Sequence, residues 1–333
     1  MQGSKKLGIV LFNLGGPDSL DAVKPFLYNL FQDPDLFQFP LNSLVRKPLA
    51  YLIASLRAPK SRFYFESIGG KSPIKELTLK QAEELEKALN SEIPVKVVVA
   101  MRYWTPFTDD AIRELQREGI QKVILLPLYP QYSYTTTRSS YRCWKERCQK
   151  LKVKFDQEIL IESYYDHPLY IQSVAERIRE AVQKFPSEER NKIHLLFSAH
   201  GIPIREIKRG DPYEKQIQKS VQLILQELQN SYPHHLSYQS KVGPLPWLEP
   251  TTIETIQRLA AQEVKNVIAV PISFVSDHSE TLYELKKLYG KLAISLGIEQ
   301  YELMPALNDS PFFIGVLKDL VMRKLTSPRP SPL

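Results

Sequence analysis

Short apolar runs alternate with longer amphipathic ones along the whole chain, and this alternation limits the fold more than any other feature. The runs at 7–14, 95–101, 122–129, 158–162, 193–200, 237–242, 266–274 and 302–306 read as strands. Several are nearly unbroken Val, Ile and Leu, as strands covered on both faces should be. Between them, 74–90, 108–118, 169–184, 213–229 and 251–262 carry apolar residues at helical spacing. Strand–helix alternation of this kind predicts an α/β protein with mostly parallel sheets.

The pattern divides near residue 150, into an N-terminal domain over 1–150 and a C-terminal domain over 151–333, with the last helix able to pack back on the first. About three strands precede the division and about five follow it. Each half has a strand that runs into a glycine turn: Asn13-Leu14-Gly15-Gly16 in the first, Ala199-His200-Gly201-Ile202-Pro203 in the second. Two similar doubly wound lobes with a cleft between them are expected. Ligands in such sheets bind beyond the carboxyl ends of the strands. No internal sequence repeat is visible.

Composition removes several function classes. Lys plus Arg is 44 and Asp plus Glu is 37, and the excess is spread along the chain. No basic block interleaves with aromatics, so nucleic acid is not an expected partner. The two cysteines, Cys143 and Cys148, make no disulfide framework and supply too few ligands for a structural zinc or an iron–sulfur cluster. No apolar stretch is long enough to span a membrane, and the N-terminal run leads into a turn, so a cytoplasmic protein is expected. The segment 25–39, from Pro25 to Phe39, stands apart for its aromatics. It reads either as a buried helix and turn or as an exposed apolar lip for a greasy ligand or a membrane surface. The tail at 327–333 is rich in proline.

Two places carry candidate chemistry. His200 ends a strand, where its imidazole can bind a metal or accept a proton near neutral pH. Ser276-Asp277-His278-Ser279-Glu280-Thr281-Leu282-Tyr283-Glu284 follows another strand. Ser276 or Asp277 can cap a helix there, and Glu280 and Glu284, four apart, share a helix face. The bland reading is a capped helix with a solvated acidic face. The functional one brings His278 or Glu280 into the same cleft as His200, for metal handling or proton transfer. Gly15-Gly16-Pro17 lacks dinucleotide spacing, and Gly69-Gly70-Lys71-Ser72 lacks the upstream glycine of a phosphate loop.

Taken in order, these residues resemble the ferrochelatase family, which inserts ferrous iron into porphyrin. The resemblance runs over nearly the whole chain. It rests on Leu11-Phe12-Asn13-Leu14-Gly15-Gly16-Pro17, Ile68-Gly69-Gly70-Lys71-Ser72-Pro73-Ile74, Met101-Arg102-Tyr103 and Leu128-Tyr129-Pro130-Gln131-Tyr132-Ser133. Leu196-Phe197-Ser198-Ala199-His200-Gly201-Ile202-Pro203, Val242-Gly243-Pro244 with Trp247-Leu248, and the 276–284 run complete it. The resemblance implies two Rossmann-like lobes, each a mostly parallel sheet flanked by helices, around a porphyrin cleft. His200 and Glu280 would handle the metal and the pyrrole protons, with His278 and Glu284 behind Glu280. Asn13, Leu14, Arg57, Lys60, Ser72, Arg102, Tyr103 and Tyr129 would surround the porphyrin and its propionates, and Trp247 and Phe274 would line the cleft.

The chain also departs from the family pattern. Lys71 and Arg138 stand where glycine is usual, and Leu288 where many relatives carry another acid. No cysteine lies near the C-terminus, so no iron–sulfur cluster or other permanent cofactor is expected, with Fe²⁺ as a substrate only. Asn13 resembles protoporphyrin-using members; coproporphyrin-using ones usually have tyrosine. The resemblance therefore implies a monomeric enzyme that makes protohaem from protoporphyrin IX and Fe²⁺, releasing two protons. The alternatives are a chelatase for coproporphyrin III, cobalt or nickel, and a porphyrin carrier without chemistry.

Overall fold

The computed structural model describes residues 6–36, 43–241, 243 and 245–326. In chain order the elements are β1 (Leu7–Asn13), α1 (Val23–Phe31), α2 (Ser43–Ser67), α3 (Ile74–Asn90), β2 (Val95–Met101), α4 (Thr108–Arg117), β3 (Lys122–Pro127), α5 (Ser139–Leu151), β4 (Gln157–Leu160), α6 (Pro168–Val182) and β5 (Ile193–His200). There follow α7 (Ile204–Lys208), α8 (Tyr213–Glu227), β6 (His234–Gln239), α9 (Thr252–Ala261), β7 (Asn266–Pro271), α10 (Gly290–Ser295), β8 (Gln300–Leu303) and α11 (Pro311–Thr326). π-Helical segments at Tyr134–Arg138 and Glu280–Tyr289 lead into α5 and α10.

The chain forms two compact units. The first comprises 1–129, 133–163 and 308–333; the second comprises 130–132 and 164–307. Its boundary falls later than the expected 150 because β4 pairs with β3 in the first sheet. The expected three strands and five are therefore four and four. α11 returns to the first unit, where it packs on α3.

Each unit holds one all-parallel sheet, ordered β2-β1-β3-β4 in the first and β6-β5-β7-β8 in the second. The Val- and Ile-rich runs make these strands, and β1, β2 and β7 are buried along nearly their whole length. In each unit the chain adds a strand on one side of the first strand and then crosses to the other side. The switch lies between β1 and β3, and between β5 and β7. Carboxyl ends at a switch point splay their loops apart and leave room for a ligand. Asn13 and Tyr129 sit at that end in the first unit, and His200 and Phe274 in the second.

The segment 25–39 is largely core. Phe26, Leu27 and Phe31 of α1 are buried against Ala50, Ala54 and Ala58 of α2, so the buried-helix reading holds for those residues; Phe37 and Phe39 lie outside the described residues. The exposed apolar surface is on α2 itself, where Val45, Leu52, Leu56 and Phe63 face solvent, Leu56 at 73% exposure. The tail at 327–333 and the motif residues Val242 and Pro244 also lie outside the described residues. Among the described residues no helix is long and apolar enough to cross a membrane.

Candidate active site

In the second unit, β5 delivers His200 to the carboxyl edge of the sheet. The Ser273 hydroxyl accepts the His200 backbone N–H at 2.9 Å, and the Tyr213 hydroxyl donates to the His200 carbonyl at 2.9 Å. The imidazole Nδ1 lies 2.6 Å from the Gly201 carbonyl oxygen. A carbonyl only accepts, so Nδ1 carries a hydrogen, and in the neutral ring Nε2 is the nitrogen that holds the lone pair. That lone-pair nitrogen lies 3.7 Å from Glu280 Oε1. Trp247 and Phe274 flank the ring, each with its centroid 6.3 Å away. Gly201 makes this packing feasible. A Cβ there would meet the Gln239 carbonyl oxygen at 2.9 Å and the Trp247 ring at 3.1 Å.

His278 is buried and repeats the arrangement. Its Nδ1 donates to the Ser276 carbonyl at 3.1 Å, and Nε2 lies 4.0 Å from Glu280 Oε2. Burial holds its pKa below the ordinary histidine value, and the charge of Glu280 only partly offsets this. Glu280 thus sits between two imidazoles, both with Nε2 turned towards it.

The segment carrying Glu280 and Glu284 is not the α-helix expected. It is a π-helix, preceded by Ser279, whose side chain makes no cap, and Asp277 accepts from the Thr281 hydroxyl. The π-turn closes i→i+5 bonds, so residues five apart come to lie over one another. Tyr289 accordingly reaches Glu284, its hydroxyl donating to Oε1 at 2.6 Å. Glu284 is largely enclosed. Burial first, and then the charge of Glu280, raise its pKa above the usual carboxylate value.

Comparison with known proteins decides what this arrangement belongs to. The ferrochelatase family model matches residues 6–325. The ferrochelatase of Aquifex aeolicus is 51% identical over 320 residues, which cover 96% of this chain and all of that one. That of Sulfurihydrogenibium is 47% identical, covering 96% of this chain and 98% of the relative. The chain belongs to the ferrochelatase family.

Solved structures extend the likeness in fold alone. Bacillus subtilis SirB, solved with Fe³⁺, superposes with a TM-score of 0.55 at 10% identity, covering 97% of this chain and 96% of that one. CbiX, described as the terminal enzyme of sirohaem biosynthesis in denitrifying bacteria, gives 0.51 at 13% identity, covering 96% and 99%. The fold of two parallel-sheet lobes is thus shared by proteins with little sequence in common.

The expected ring-binding residues fall in the first unit. Asn13 ends β1, buried, with its amide donating to Thr78 Oγ1 at 2.9 Å and its Oδ1 accepting from the Leu14 N–H at 2.8 Å. Leu14 packs against the cluster around α1. Ser72 is buried in the turn before α3, where its N–H donates to the Pro17 carbonyl at 2.8 Å, beneath Gly16. Arg57 and Lys60 are exposed on α2. The Tyr129 phenol is enclosed, and its burial raises its pKa.

Arg102 and Tyr103 have a partner that the ferrochelatase motifs did not reveal. Asp33, fully buried, accepts from the Tyr103 hydroxyl at 2.6 Å, from Arg102 at 2.8 Å and from Arg142 at 3.2 Å, and the Ser139 hydroxyl adds a fourth bond. Burial works against its charge, but Arg102, Ser139 and Tyr103 outweigh it and hold its pKa below the usual carboxylate value. Tyr103 has no exposed surface left, and its hydroxyl is committed to Asp33. Asp33 itself shows in the sequence only as the first acid of Asp33-Pro34-Asp35 within the apolar segment.

Proposed function

We infer that the chain inserts Fe²⁺ into protoporphyrin IX to give protohaem and two protons. Membership of the family supports the reaction, and one observation supports its place in the molecule: Nε2 of His200 faces Glu280 across 3.7 Å. Metallation removes two pyrrole N–H protons and strips water from the ion, so it needs a base beside the ring and a negative group beyond the base. In this reading His200 Nε2 accepts a pyrrole proton, and Glu280 stabilises the imidazolium that results. The same pair can touch the entering iron. Bonds of about 2.1 Å, typical of first-row ions with nitrogen and oxygen, would span it. Among the described residues no three His, Cys, Asp or Glu side chains gather closely enough to hold a metal ion.

Trp247 and Phe274 supply aromatic surface beside His200, as a flat apolar ring requires. Propionate binding is assigned to Arg57 and Lys60, exposed on α2, and to Arg102, together with Ser72 and Tyr129. Tyr103 contributes by holding Asp33 and not by touching the ring. Asn13, in place of tyrosine, supports protoporphyrin over coproporphyrin. Peripheral membrane contact is assigned to the exposed apolar residues of α2, flanked by Arg57 and Lys60, and not to α1.

The test is anaerobic turnover with Fe²⁺ and protoporphyrin IX, read by the porphyrin absorption spectrum, with coproporphyrin III alongside. Metallation of protoporphyrin is expected. Turnover of coproporphyrin alone would overturn the reading of Asn13, and binding of either ring without metallation would replace the enzyme with a carrier.

A further inference from the structure

β6 ends at Gln239, and the next residue carries an unusual backbone. Ser240 has φ +65°, in the left-handed region that residues with side chains seldom occupy. Its neighbour is firmly held. Gln239 Oε1 accepts from the Ser198 hydroxyl at 2.7 Å, and Ser198 and Ser237 both bond to Thr252 Oγ1, at 2.8 and 3.0 Å. These hydroxyls are wholly buried, so the strand end that presents Ser240 is anchored from beneath. Local strain held by a satisfied network is characteristic of functional positions.

The consequence is where the hydroxyl lands. Ser240 Oγ lies 2.6 Å from Glu284 Oε2 and 3.3 Å from Glu280 Oε2. Contacts therefore run without a break from His200 to Glu280, Ser240, Glu284 and Tyr289. At the inner end of this line Glu284 is held by two hydroxyls, those of Ser240 and Tyr289. A hydroxyl has one hydrogen and two lone pairs, and it can donate to one neighbour while accepting from the other.

The geometry points to Ser240 as a positioning residue that fixes Glu280 and Glu284 against each other and bridges them with a single hydroxyl. This rests on the metal-insertion reading. Once the His200 imidazolium has passed its proton to Glu280, the Glu280 carboxyl gives that hydrogen to Ser240 Oγ while the serine's own hydrogen passes to the Glu284 carboxylate. One proton moves, and the serine ends unchanged. Removing the hydroxyl breaks the bridge and leaves His200, Trp247 and Phe274 as they are, so turnover suffers and ring binding does not.

The experiment compares wild type with Ser240→Ala and Ser240→Gly. Alanine keeps the backbone constraint of serine; glycine relieves it and guards against a folding defect. Both variants should lose about tenfold in kcat with the KM for protoporphyrin within about twofold, and both should show a larger solvent deuterium isotope effect. Ser240→Cys, which retains a weak donor, should recover part of the rate. Wild-type kcat and isotope effect in both Ala and Gly variants would overturn the inference while the enzyme reading stands. A fall in kcat that follows a fall in thermal stability in Ala, absent in Gly, would also overturn it by making the role purely structural. Failure of the wild type itself to metallate would remove the underlying reading.

Discussion

His200 owes its chemistry to one bond. With Nδ1–H given to the Gly201 carbonyl, the lone pair of the neutral ring is on the side of Glu280. His200→Ala should abolish metal insertion while circular dichroism and melting temperature stay near wild type, because the side chain is part-exposed and fills no core space. Turnover near the wild-type rate would remove the role. Asp33 is the opposite kind of residue. It is buried under Arg102, Tyr103, Ser139 and Arg142, and Asp33→Ala would take from the largely enclosed Arg102 guanidinium its carboxylate partner. A loss of about 3–5 kcal/mol is expected, read by urea denaturation; a loss under about 1 kcal/mol would show that the cluster rearranges. His200 was legible because a strand end and a glycine turn mark it. Asp33 was not, because its four partners come from segments far away in the chain.

Among the elements, β5 and β6 carry a pH-sensitive pair at the end opposite His200. His194 Nδ1 and His235 Nε2 lie 3.0 Å apart with their rings nearly parallel. Burial first, and then the charge of His194, push the His235 pKa down to about 4, and burial lowers that of His194. A folded-state pKa below the unfolded value of about 6.5 means that the fold resists the proton. The pair's contribution is present at neutral pH and is lost as pH falls from about 6.5 towards 4. Melting temperatures at pH 7.5 and 5 should show the loss, and His235→Gln should reduce it; an unchanged loss in that variant would place the acid sensitivity elsewhere, with buried His278 the next candidate. The 280–289 segment shows a different limit. Glu280 and Glu284 were recognised as neighbours on one helix face, and they are, but an α-helical spacing would not bring Tyr289 to Glu284. Sequence spacing alone does not distinguish i→i+4 from i→i+5 bonding.

At the scale of the molecule, the two sheets share one strand order without a visible sequence repeat. Buried parallel strands accept any close-packing set of Val, Ile and Leu, so topology can recur while residues diverge. α2 was not foreseen. Its Pro48 and Pro59 and its two apolar faces, one on α1 and one in solvent, obscure the helical period. The outer face yields a prediction: the double variant Leu56→Ser/Phe63→Ser should co-sediment less with anionic liposomes than wild type does, at unchanged stability. Equal co-sedimentation would remove α2 as the membrane contact.

What the sequence determined by itself was whatever depends on local order: strand and helix periodicity, the α/β class, the glycine turns after β1 and β5, and the ordered motifs that mark the family. The tertiary structure alone decided which residues act together. It drew β4 into the first sheet, turned Phe26 and Phe31 inward, gave Tyr103 to Asp33, and set Ser240 over Glu280 and Glu284. Each of these depends on groups remote in the chain meeting in space, where burial leaves a polar atom only the partners that packing supplies.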